Sequence, residues 1–75
     1  MMTDNSVAKE RAVLKFIQEF FAEYGYAPSF RDIMAGANIS STSYTGHLLD
    51  ELVRQGHLTR DYNVPRSIVL MDIND

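Results

Sequence analysis

Between Ser40 and His47 the chain reads SSTSYTGH, a run of hydroxyl and imidazole hydrogen-bonding groups without a carboxylate. Hydroxyls at the start of a helix, beside its unpaired backbone amides, form a ready site for an oxyanion such as phosphate, and an acidic side chain there would spoil it. Serine and threonine are also favoured as caps at any helix start, so a cap with a turn is the plain reading of Ser40, Ser41, Thr42 and Ser43. Covalent chemistry finds no support. No nucleophile, base and orienting group stand at a recognisable motif spacing, and there is no glycine-rich phosphate loop. With no cysteine, and with two histidines ten residues apart, no metal site is expected either. The expectation is a non-enzyme with no catalytic residue, metal or cofactor.

The elements that would carry this run follow from apolar spacing. Val13, Leu14, Ile17, Phe20, Phe21 and Tyr24 recur at three- and four-residue intervals, which predicts an amphipathic helix from Ser6 to Tyr24 with Arg11, Lys15, Gln18 and Ala22 opposite. Gly25 suits its left-handed cap, and Pro28 blocks continuation. Phe16 and Phe20 read as the edge of the core stripe, with an exposed partner surface as the alternative. Ser29-Phe30-Arg31-Asp32 has the form of a capping box opening a short helix from Phe30 to about Gly36, followed by a turn at Gly36 and Asn38. A third helix should begin at Ser41 or Thr42 and stop near Gln55 before Gly56. Its inward stripe is Thr45, Leu48, Leu49, Leu52 and Val53; Ser43, His47, Asp50 and Arg54 fall opposite, and Tyr44 and Gly46 lie on the flanks. Residues 57–60 and 67–71 read as two short strands joined by DYNVPR, with Pro65 in the turn or at the strand start and a frayed tail from Asp72 to Asp75. This is mainly α with a small β-hairpin, the order of a winged helix-turn-helix: three helices followed by a two-stranded wing. Residues 1–75 are expected to form one such domain, with an ordered core of about residues 6–71.

Charge bears on what such a domain could bind. The net charge of −3 argues against a nucleic-acid partner, because Lys and Arg supply much of the affinity for phosphate. The distribution argues the other way: residues 33–49 contain no charged side chain, and all ten carboxylates lie outside them. No apolar run approaches the ~20 residues of a membrane span, and no signal-peptide core is visible. A soluble, cytoplasmic protein with no membrane partner is expected.

From Ala8 to Met71 the chain resembles the N-terminal DNA-binding domain of LexA-type repressors. The resemblance rests on the helix ending in YGYAPS, then FRDIM, the hydroxyl-rich start of the third helix, HLLDELVRQGHL, and a hairpin closing with PRSIVLM. It implies sequence-specific recognition of duplex DNA, with the third helix (about residues 41–55) in the major groove and the wing (about residues 57–71) on backbone or minor groove. The implied DNA-binding residues are Arg31, Ser41, Thr42, Ser43, Tyr44, Gly46, His47 and Arg66. Tyr44 could meet a phosphate or a thymine methyl, His47 a purine acceptor, and Arg66 a phosphate or minor groove from the wing. Gly46, unfavourable inside a helix, fits a close approach of DNA. Arg54 lies far along the helix, and solvated surface is the plain reading of Arg31, Arg54, Arg60 and Arg66. Positions where the family carries asparagine and glutamate for base contacts hold Ser43, Gly46 and His47 here, so a different operator is expected. The family's full repressors continue into a self-cleaving serine-lysine peptidase and dimerisation domain; this chain ends at Asp75, so no self-cleavage is expected and the domain should be a weak homodimer at best, on DNA. Regulation of transcription, as a repressor, is the implied role. The alternative is a protein-interaction module that keeps the winged fold and binds a protein partner instead of DNA.

Overall fold

The computed structural model describes residues 3–61, 64 and 66–71. Three helices, α1 (Thr3–Tyr24), α2 (Phe30–Ala37) and α3 (Thr42–Arg54), precede two strands, β1 (Leu58–Thr59) and β2 (Val69–Leu70), in the winged helix-turn-helix order. The positions expected for Pro65 and for the tail from Asp72 to Asp75 lie outside the described residues.

In α1 the four-residue spacing of Val13 and Ile17 puts both fully inside, with Leu14, Phe16 and Phe21 packed partly against the same core. Tyr24, expected on this stripe, is 56 % exposed. It lies one turn beyond Phe21, past the end of the buried cluster, and its ring rests on Phe20 at 4.5 Å between centroids. Gly25 then turns the chain with a φ of 80°, a left-handed conformation that glycine adopts without a Cβ clash.

Local hydrogen bonds set the ends of α2. Ser29 Oγ accepts from the Asp32 N–H at 3.1 Å, and Asp32 Oδ2 accepts from the Ser29 N–H at 3.0 Å, which completes the capping box. The bond from the Ser29 amide, helped by the hydroxyl and by the nearby Arg66 guanidinium, holds the Asp32 carboxyl below its usual value. At the other end, left-handed Asn38 donates its N–H to the Met34 carbonyl. Lys9 Nζ donates to the Ala37 carbonyl at 3.0 Å, a cation placed where the helix dipole favours one. Gly36, expected at the end of this helix and in its turn, lies within α2 and is needed for packing: an added Cβ would overlap the Phe16 ring.

Ser41 caps α3, its hydroxyl accepting from the Tyr44 N–H at 3.1 Å. The expected stripe is inside: Thr45, Leu48, Leu49 and Leu52 are buried, and Val53 is half-buried. The Thr45 hydroxyl, fully buried, donates to the Ser41 carbonyl at 2.9 Å, so burial leaves no orphan donor. Gly56, with a φ of 85°, ends the run and feeds the wing.

The wing is antiparallel, with Leu58 opposite Leu70 and Thr59 opposite Val69. Its strands are shorter than the ranges 57–60 and 67–71: the Met71 N–H still bonds to the His57 carbonyl at 2.9 Å at the open end, while side chains take over beyond Thr59. The Ser67 hydroxyl accepts from the Asp61 N–H at 2.9 Å and donates to the Asp61 carbonyl at 2.8 Å. Arg60 is not solvated surface: its side chain is only 12 % exposed, pairing with Asp50 at 3.2 Å and lying over the Phe30 ring. Leu58 is fully buried and Ile68 nearly so, which ties the hairpin to the helices.

Candidate nucleic-acid interface

With Leu48, Leu49 and Leu52 turned inward, the helical period forces the opposite side of α3 into solvent. Ser43, His47, Asp50 and Arg54 are all exposed there, as are Ser41 and Thr42 at its start. Tyr44 and Gly46 are half-buried on the flanks. The first turn of α3 carries no acidic residue, so the dipole's positive end is not neutralised from within the helix. Ser41 spends its acceptor on the cap and can still donate its own hydrogen. Thr42 Oγ1 stands 3.9 Å from Met34 Sδ, a weak contact that fixes it beside α2. The Asp50 carboxylate, on the same stripe as Ser43 and His47, is matched by Arg60. Arg54, at the far end, is paired with Glu51 at 2.6 Å, and that guanidinium holds the Glu51 carboxyl below its usual value.

A groove of about 720 Å³ runs between the start of α2, the start of α3 and the wing. Arg31, Thr42 and Arg66 meet around it, although they come from three elements. Arg31 is exposed, on the first turn of α2. Arg66 is turned toward the domain: its Nη1 donates to the Ala27 carbonyl at 3.0 Å and lies 3.1 Å from Asp32 Oδ2. Those partners were not foreseen from sequence, where Asp32 figured only as a helix cap. No local pattern links residues so far apart in the chain. Arg60 did carry a signal, because the two-residue strand alternation that buries Leu58 also turns Arg60 inward.

Gly46 differs from Gly36. An added Cβ at Gly46 would meet only the Phe30 ring carbons, at 3.8 Å, an ordinary contact. Internal packing therefore does not require this glycine, and helix propensity disfavours it by ~1 kcal/mol relative to alanine. Gly46→Ala should raise stability by ~0.5–1 kcal/mol in chemical denaturation while weakening binding to duplex DNA. A loss of stability, or unchanged binding, would remove the case that this glycine makes room for a ligand.

Among the described residues, no helix is long and apolar enough to cross a membrane, and no group of three or more metal-ligating side chains gathers. The family model described as the LexA DNA binding domain matches residues 5–67. A LexA repressor of Roseiflexus sp. (strain RS-1) is 41 % identical over 71 residues, covering 95 % of this chain and 33 % of that protein. One from Pelotomaculum thermopropionicum is 38 % identical over 71 residues, covering 95 % of this chain and 35 % of that protein. A third, from Thermobifida fusca, is 42 % identical over 60 residues, covering 80 % of this chain and 24 % of its own length. The chain spans about a third of the length of the first two of these relatives.

Proposed function

The chain belongs to the LexA DNA-binding domain family, and from that premise we propose that it binds duplex DNA sequence-specifically as a small LexA-like transcriptional repressor. The observation that carries this reading is the exposed, carboxylate-free first half of α3, mounted rigidly by the buried stripe behind it. Inserted in a major groove, Ser43 and His47 face base edges, with Tyr44 and Gly46 alongside. Ser41, Thr42 and Arg31 then meet backbone phosphates at the groove's edge. The role is non-catalytic and belongs in the cytoplasm, where the chromosome lies. Residues 1–75 act as one binding unit with its core over about residues 6–71, and two copies would sit on half-sites about one helical turn apart. Membership of this family does not favour a protein-interaction module that binds no DNA.

Salt dependence tests the proposal. Few cations face the site, so the slope of log affinity against log salt should be shallow, roughly −1 for each phosphate that a cation neutralises. Binding to random duplex should consequently be poor at physiological salt. A slope near zero would mean that phosphates are not being neutralised, and the DNA-binding reading would fall.

A further inference from the structure

Arg66 holds a left-handed backbone, with a φ of 55°, at a position where glycine would sit with least strain. Its side chain is occupied on three sides. Nη1 donates to the Ala27 carbonyl at 3.0 Å and pairs with Asp32 Oδ2 at 3.1 Å, while the guanidinium carbon lies 5.2 Å from the Tyr26 ring centroid. The Asp32 oxygen it meets is the same one that accepts the Ser29 amide at 3.0 Å, so the anchor is itself fixed by the cap of α2. Buried Leu58 and Ile68 hold the wing's strands to the helices, and Arg66 adds a tie near the turn that joins those strands. The strands are two residues each, and a hairpin that short has little stability of its own.

We propose that Arg66 is a positioning residue rather than a phosphate ligand: it latches the wing to the start of α2, so that wing and α3 meet DNA as one rigid face. This rests on the DNA-binding reading above. Only Nη1 is engaged by Asp32 and Ala27 and the side chain is 45 % exposed, so a phosphate held by the rest of the guanidinium would lie beside the Asp32 carboxylate and be repelled by it. The two roles therefore give opposite signs when Asp32 is neutralised. Asp32→Asn keeps a side-chain oxygen for the Ser29 amide, so the helix cap survives while the ion pair is lost.

The test uses the whole chain as wild type, Asp32→Asn, Arg66→Ala and the double variant. Each is titrated at several salt concentrations on a duplex selected by the wild type, and exchange of the Val64 amide, which bonds to the Asp61 carbonyl within the wing, is followed without DNA. If losing the latch leaves the wing docked about one tenth of the time, each single variant binds about tenfold more weakly. The double variant should be no weaker than either single one, the salt slope should match wild type, and Val64 should exchange faster in all three. Tighter binding by Asp32→Asn, or a slope flattened by about one unit in Arg66→Ala, would make the guanidinium a phosphate contact and overturn the latch. Unchanged exchange and affinity in both single variants would overturn it as well. A wild-type chain that binds no duplex fails at an earlier step, and takes the DNA-binding reading with it.

Discussion

Leu49→Ala is expected to cost ~2–5 kcal/mol in chemical denaturation, which approaches the ~3–5 kcal/mol that a core of this size typically supplies. Leu49 is fully buried, as are Leu48 beside it, Ile17 of α1, Ile33 of α2 and Leu58 of the wing. α3 packs against α1, α2 and β1. Truncating the side chain loses its transfer free energy and leaves a cavity that the surrounding helices can fill only in part. The exposed face of α3 depends on this same phase, because Leu49 inward is what holds His47 outward. A loss below ~1 kcal/mol would mean that Leu49 is not in the core, and that the surface assigned to DNA is rotated away from where it is placed here.

His47→Ala is expected to change which duplex is preferred more than how strongly DNA is held. His47 is exposed on α3, one helical turn from Ser43, and neither its side chain nor that of Ser43 is needed by the core. If the imidazole meets a base edge, its loss should cost ~1–3 kcal/mol of discrimination at one or two base positions, as read by titrating single-base operator variants. The salt slope should stay close to the wild-type value, since base contacts release few counterions. Tyr44→Ala should act in the same direction with a smaller effect, because the half-buried ring also packs against the core. Unaltered base preference in both variants would show that α3 does not read bases.

The helices were legible in the sequence because the forces behind them are local. Leu48, Leu49 and Leu52 repeat at helical spacing, and the Ser29 and Asp32 capping box spans three residues, so both could be read directly and both are present. Tyr24 shows the limit of periodicity. It lies on the right face of α1, but the core ends before reaching it, and only the packing of α2 and α3 decides where that end falls. The strands were placed correctly in order but overextended, because the Ser67 bonds to Asp61 and the burial of Arg60 replace ladder pairing near the wing's turn. In the candidate site, the exposed hydroxyl run and His47 follow from helix phase alone. The engagement of Arg66 with Asp32 and Ala27 does not, since it depends on where three separate elements come to rest. The two glycines divide the same way. Their types are identical, yet only the Phe16 ring against Gly36 shows which is required by packing and which, at Gly46, is open to another explanation.

Sequence-specific DNA binding is tested most directly by selecting bound duplexes from a random pool with the wild-type chain at physiological salt. A single motif should be enriched, with a half-site short enough for one recognition helix. At ~1–3 kcal/mol per read position, even two positions separate the selected duplex from random DNA by about thirtyfold or more. A pool that emerges without any enriched motif, after binding that random duplex competes away equally, would contradict sequence-specific recognition by this chain.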